Sequence, residues 1–279
     1  MNKRTKTALR RWCLYGWTLA KWTMAASAIG VVCGLIGTMF HFGVHEVTAF
    51  RGTHPWVLYL LPLAGFVIVS FYKLTETDGL GTDDIIDAVH EGKRLPILLL
   101  PAIFFGTVLT HLCGGSAGRE GAALQIGGGI GYRAGTLLHL GEKDLPLATL
   151  CGMSGVFAAL FGTPLTATIF ALEVISVGVF YYSALVPCIV ASLAALAISN
   201  AFGIAPTQFT FAFAAAPKLL LLRVAALAAV CSLMSILFCV TMHGTERLFS
   251  SRIPNTWLRI AAGGGIVIVL SLLVGRLLK

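Results

Sequence analysis

The stretch Gly114-Gly-Ser-Ala-Gly-Arg-Glu-Gly-Ala-Ala-Leu-Gln-Ile-Gly-Gly-Gly-Ile-Gly131 constrains this chain more than any other. It sets an adjacent Arg119–Glu120 pair beyond a run, Leu95 to Gly118, that contains no Asp, Glu, Lys or Arg. In an apolar chain two ionisable groups at such depth are costly, and by default they mark a pathway or an ion site. The glycines before the pair end any preceding helix, and Glu120-Gly-Ala-Ala-Leu-Gln starts a new one. A helix N-terminus facing inward, with its N–H groups free, is an anion site. A carboxylate on that same terminus competes with the anion for it.

The stretch admits two other readings. Gly127, Gly131 and Gly135 fall four apart, a spacing that lets helices approach closely in lipid. Packing accounts for those three glycines and leaves Arg119 and Glu120 unexplained. Gly129-x-Gly131-x-x-Ala134 is a loose match to a dinucleotide loop. No strand pattern precedes it and no acid follows about 20 residues on, so that reading is set aside.

Composition supports a membrane setting. Of 279 residues 57% are hydrophobic and 11% charged, with mean hydropathy +0.87, whereas a soluble domain is about 25% charged. The formal net charge of +8 gathers at the ends and in short loops. Lys3, Arg4, Lys6, Arg10, Arg11 and Lys21 precede the first long apolar run, which predicts a cytoplasmic N-terminus in an inner, plasma-type membrane. The run from Met24 to His45 is too long for a signal peptide and lacks a cleavage site.

The seven cysteines are scattered singly, which suits neither a disulfide framework nor a zinc site, and they read as small core residues. His41 and His45 have the spacing of a metal pair. No third ligand accompanies them, and packing is the better account. No cofactor, metal, nucleic-acid partner or enzymatic chemistry is implied.

The chain divides into a basic segment 1–23, a first transmembrane repeat 24–216 and the start of a second at 217–279. Spans are expected at Met24–His45, Trp56–Tyr72, Leu95–His111 and Phe180–Phe202. Between them lies the polar loop Asp78-Gly-Leu-Gly-Thr82, where Thr82 or Asp83 would cap a short helix. Phe161-Gly-Thr-Pro164 should split the uncharged run from Leu145 to Leu172 into two half-length helices. Glu173 closes the second half, with a capping or pairing role as well supported as a functional one.

An internal repeat underlies that division. Val32-Cys33-x-Leu35-x4-Phe40-x4-His45 recurs as Val230-Cys231-x-Leu233-x4-Phe238-x4-His243, an offset of 198 residues (33 to 231). Gly65-Phe-Val-Ile-Val69 recurs as Gly265-Ile-Val-Ile-Val269, an offset of 200 (65 to 265). Transporters are commonly built this way. A counterpart of Glu120 at the same offset falls beyond Lys279, so the chain is expected to be a piece of a larger transporter.

Gly118-Arg-Glu-Gly121 with Gln125-Ile-Gly127 resembles the Gly-Arg-Glu-Gly-x-x-x-Gln signature of the CLC anion channels and anion/proton antiporters. Phe161-Gly-Thr-Pro-Leu-Thr-Ala-Thr-Ile-Phe-Ala-Leu-Glu173 is similar to that family's Phe-Asn-Ala-Pro-Leu-Ala-Gly stretch ending in Phe-x-x-Glu. Asp78-Gly-Leu-Gly81 sits where the family has Gly-Ser-Gly-Ile-Pro. The resemblance covers nearly the whole chain, about the first half to two-thirds of a family member.

The resemblance implies an all-α polytopic membrane protein of the CLC inverted-repeat type with broken helices. It also implies a homodimer, here through residues 164–202, whose subunits each hold an anion path. Glu120 would be the gating glutamate that occupies the anion's place and carries the proton. The anion site would be lined by Gly118, Arg119, Glu120, Gly121 and Ala122, with Gly79, Leu80 and Gly81 opposite.

The departures bear on the anion. The family's central Ser is Leu80 here, and the Pro of that motif is Asp83. The Pro after Arg-Glu-Gly is Ala122, and the inner proton glutamate, which would follow Glu173, is Val174. Loss of both Ser and inner glutamate resembles the fluoride/proton branch. Proton-coupled fluoride export is the expectation, with a chloride channel or chloride/proton antiporter as one alternative and a non-transporting remnant as another.

Overall fold

The computed structural model describes residues 3–91, 95–175, 181–206 and 219–277, and among them every regular element is helical. The chain forms two compact units, 1–207 and 208–279. The predicted boundary at 216–217 lies outside the described residues, as does the start of the Phe180–Phe202 span.

The first unit opens with α1 (Lys3–Thr53), one continuous helix of 51 residues. The basic segment and the first span are thus a single element. No proline or turn dipeptide separates them, and the change from basic to apolar composition does not interrupt a helix. A 3-10 turn (Pro55–Leu60) leads into α2 (Leu61–Leu74), so the predicted second span is a turn plus a helix. The short α3 (Thr82–Glu91) and α4 (Leu99–Leu112) follow, then α5 (Arg119–Leu137), α6 (Leu145–Phe161), α7 (Pro164–Ile175) and α8 (Tyr182–Ala201). Among the described residues five helical segments are long and apolar enough to cross a membrane, while α4, α6 and α7 are shorter apolar helices.

The core sits around α6, which packs on α1, α3, α5, α7 and α8. It is apolar all round and buried along most of its length, as a helix without a polar face must be. Its approach to α5 is backbone against backbone. A Cβ on Gly127 would strike the Gly152 carbonyl, and one on Gly131 the Ala148 carbonyl. On α1, Gly30 and Gly34 meet α8 at Ala191 and Ala195 in the same way. Small residues let helix axes close up in lipid, where dispersion contacts replace the hydrophobic effect as the packing force. Buried hydroxyls add cross-links: Ser154 Oγ donates to the Cys151 carbonyl at 3.0 Å and the Cys188 carbonyl at 3.2 Å, and Ser199 Oγ to the Ala159 carbonyl at 3.0 Å.

The break between α6 and α7 falls at Gly162, which takes the left-handed conformation (φ 71°) that favours glycine and closes the helix by donating to the Ala158 carbonyl at 2.9 Å. Pro164 then starts α7 at its first position, where a missing N–H costs nothing. Pro206 of the Gly203-Ile-Ala-Pro206 segment lies against Gly162.

Of the cysteines, Cys33, Cys113, Cys151 and Cys188 are buried as predicted, whereas Cys13, Cys231 and Cys239 are exposed. The His41 and His45 rings stack at 6.1 Å, one turn apart on α1.

The second unit comprises α9 (Leu220–Arg252) and α10 (Thr256–Leu277). Asn255 caps α10, its side-chain oxygen accepting from the Trp257 N–H at 3.0 Å. The repeated segments occupy matching elements: Val32–His45 lies in α1 and Val230–His243 in α9, while Gly65–Val69 lies in α2 and Gly265–Val269 in α10.

Candidate anion site

Two polar contacts fix the ends of the first unit. Lys21 Nζ and Asp144 Oδ2 lie 2.6 Å apart, joining the early part of α1 to the loop between α5 and α6. At the other end Arg51 donates to the His111 carbonyl at 3.2 Å, and Gly114 lies against Leu58 and Arg51. Between Lys21 and Arg51 α1 rises roughly 45 Å, whereas the 19 residues of α5 cover only roughly 28 Å. Gly114 (φ 76°) turns the chain after α4, and α5 begins four residues after Gly115.

Gly118 is the N-cap of α5, in extended conformation (φ −76°, ψ 144°), with no side chain capping the helix. The first-turn N–H groups are therefore left open to another acceptor. Glu120 lies beside that end. Its carboxylate folds back over its own helix end, with Oε2 3.0 Å from where a Cβ on Gly118 would sit. A carboxylate near that end is attracted by the positive end of the helix dipole.

Arg119 turns the other way, its guanidinium 5.8 Å from the Phe161 ring centre at the end of α6. Both Arg119 and Glu120 are exposed, where the sequence predicted burial. Helical side chains tilt towards the N-terminus, so those of the first turn project past the helix end rather than onto the core. Ala122, one turn in, is buried, and Gly121 is half-buried.

The Asp78–Thr82 loop comes to the same helix end. Gly79 takes a positive φ of 81° to make the turn. The Leu80 N–H donates to the Thr77 carbonyl at 3.2 Å, and the Leu80 side chain is half-buried against the core. The cap of α3 differs from the prediction. Neither Thr82 nor Asp83 provides it; Asp84 Oδ2 accepts from the Gly81 N–H at 2.9 Å. This is the reach-back half of a capping box, made from the third helical position. Thr82 is thereby free for α5: Gln125 Nε2 donates to Thr82 Oγ1 at 2.8 Å, and that oxygen lies 3.8 Å from the Cβ position of Gly121.

The structure thus brings the first turn of α5 together with Thr82, at the end of the 79–82 loop, whereas a Cβ on Gly79 or Gly81 would have nothing within 4 Å. The structure leaves Glu173 and Val174 apart. They lie near the far end of α7, roughly 14 Å along the axis from Pro164, where Glu173 is exposed and Val174 packs on the core. Sequence reasoning missed Asp84 as the cap, Phe161 as the partner of Arg119 and the Thr82–Gln125 tie. The motif containing Gln125 was the available signal for the last.

Fold and site together define a class: an all-α, multi-pass membrane protein whose interrupted helices converge on an unshielded helix N-terminus. A family model described as voltage gated chloride channel matches residues 63–279. The chain belongs to that family, the CLC proteins. It is 33% identical over 254 residues to a chloride/fluoride channel protein of Pseudomonas syringae pv. tomato, covering 90% of this chain and 56% of that protein. It is 28% identical over 189 residues to an H(+)/Cl(-) exchange transporter of Vibrio vulnificus, covering 61% and 40%.

Among solved structures, a CLC-type fluoride/proton antiporter superposes with a TM-score of 0.87 at 30% identity, over 92% of this chain and 66% of that one. A slow cyanobacterial Cl-/H+ antiporter superposes with a TM-score of 0.76 at 22% identity, over 89% and 63%, which speaks for the fold alone. The chain spans about half the length of the curated relatives it matches.

Proposed function

We propose that this chain carries the gating half of a proton-coupled anion transporter whose preferred anion is fluoride. The observation that supports it is the Glu120 carboxylate lying over the open N-terminus of α5, with Oε2 3.0 Å from the Gly118 Cβ position. Deprotonated, Glu120 takes the place of an anion at the free N–H groups. Protonated, it loses its attraction to the helix dipole and leaves the terminus to the anion. One group then serves both ions, because the proton that releases the carboxylate is the proton exchanged.

Fluoride as the anion is supported by Leu80, which brings an aliphatic side chain instead of a hydroxyl to the loop beside the site, and by Val174, which offers no acid after Glu173. It is supported also by likeness to the fluoride/proton antiporter. The basic start of α1, with Lys21 paired to Asp144, favours a cytoplasmic N-terminus in an inner membrane. Helices α7 and α8, with Leu165, Ile169, Tyr182 and Val186 exposed, are the proposed dimer surface; residues 176–180 of that range lie outside the described residues.

Efflux from liposomes loaded with fluoride or chloride, with proton movement recorded alongside, tests the reading on the chain completed through its second repeat. Fluoride efflux faster than chloride efflux, accompanied by proton uptake, is the expected result. Chloride leaving as fast or faster overturns the choice of anion. Glu120→Gln should leave anion flux and abolish proton coupling, and unchanged coupling overturns the role of Glu120.

A further inference from the structure

The donor groups of the 79–82 loop are unequally committed. The Leu80 N–H is spent on the Thr77 carbonyl and the Gly81 N–H on Asp84 Oδ2. Asp84 also sets a negative charge on the N-terminus of α3, so that terminus already holds its own carboxylate and repels a second anion. What α3 can offer the neighbouring site is the Thr82 hydroxyl. Gln125 Nε2 donates to its oxygen at 2.8 Å, and Gln125 stands one turn after Gly121 on the same face of α5. A hydroxyl has one proton to donate and two lone pairs to accept with. With the amide filling a lone pair, the Thr82 proton points elsewhere, and no described residue accepts it. The oxygen lies 3.8 Å from the Cβ position of Gly121, the residue after Glu120, beside the first turn whose N–H groups stand open.

We infer that Thr82 is an anion-binding residue of this site, its hydroxyl held by Gln125 so that its proton is presented to the anion that replaces the Glu120 carboxylate on α5. The inference rests on the proposed function and adds a determinant of anion affinity to it. Gln125 is the positioning residue: it touches Thr82, and its amide fixes which way the hydroxyl donates. A hydrogen bond to a charged acceptor is about twice as strong as one to a neutral acceptor, so the hydroxyl adds affinity for the anion at this site.

The test is the apparent KM for fluoride efflux from liposomes, measured with the proton-to-fluoride ratio. Thr82→Val keeps the shape and removes the hydroxyl. It should raise KM about threefold to tenfold with the ratio unchanged. Thr82→Ser keeps the hydroxyl and should stay within about twofold of the parent. Gln125→Met removes the amide and should raise KM in the same direction, a second route if Thr82→Val fails to fold. A parental KM in Thr82→Val or Gln125→Met overturns the inference, as does an equal loss in Thr82→Val and Thr82→Ser, which would mark a packing role. All variants are measured in the chain completed through its second repeat, and release of neither fluoride nor chloride by the completed parent would overturn the proposed function instead.

Discussion

Glu120 and Gly118 share one helix end so closely that the carboxylate occupies the space a side chain on Gly118 would need: Oε2 is 3.0 Å from that Cβ position. The backbone of Gly118 is extended, so alanine fits its φ and ψ without strain. Gly118→Ala should therefore leave stability within about 0.5 kcal/mol of the parent. The carboxylate must give way by a few tenths of an ångström, loosening its hold on the helix terminus. More anions should then pass per proton, read as a rise in the anion-to-proton ratio in liposomes. A ratio identical to the parent's would show that the carboxylate's place on Gly118 does not matter to gating.

The α5–α6 crossing is the least forgiving part of the fold. A Cβ on Gly152 would fall against the Gly127 carbonyl oxygen and within 2.8 Å of the Gly131 Cα, and neither backbone can move alone. Overpacking of this kind costs about 1–3 kcal/mol or more. Gly152→Ala should lower the midpoint of thermal unfolding in detergent measurably. Gly141→Ala, where nothing lies within 4 Å, should not. Equal midpoints for the two variants would contradict the crossing.

How far the sequence could be read depended on whether the deciding interaction was local. The breaks at Gly114 and Gly162–Pro164 and the start of α5 at the Arg119–Glu120 pair were legible, because glycine and proline act on their own backbone. Family and fold followed from the same residues. The continuity of α1 was not legible, since a fall in hydropathy at its basic start looks like a boundary although helix hydrogen bonding is indifferent to it. The cap of α3 misled for a related reason. Thr82 is a good capping residue by type, but Asp84 reaches the Gly81 N–H, and Thr82 bonds across to Gln125, 43 residues away. Contacts of that range depend on how α3 and α5 pack, which no local pattern states.

Lys21 and Asp144 join α1 to the α5–α6 loop at 2.6 Å, but their side chains remain 39% and 32% exposed. Solvent screening reduces such a pair to about 0.2–1 kcal/mol. A double-mutant cycle of Lys21→Ala and Asp144→Ala should return a coupling energy in that range, falling as salt is raised. A coupling above about 2 kcal/mol, or one insensitive to salt, would mean that the pair is shielded in the membrane-embedded protein.

Leu80 sets the anion prediction. It sits two residues before Thr82, which reaches α5, and brings no donor of its own, its N–H being taken by the Thr77 carbonyl. Leu80→Ser would add a hydroxyl there. A single new hydrogen bond contributes about 0.5–1.5 kcal/mol net, more when the acceptor is charged. A gain of that size changes affinity about threefold to tenfold. It should favour chloride over fluoride, because chloride is the anion that the parent site is proposed to hold poorly. The side chain is half-buried against the core, so serine also forfeits apolar packing, and Leu80→Ala serves to isolate that loss. The chloride-to-fluoride efflux ratio should rise in Leu80→Ser and stay at the parental value in Leu80→Ala. If both variants shift the ratio alike, the space vacated by leucine governs selectivity rather than the donor. If neither does, position 80 does not face the anion.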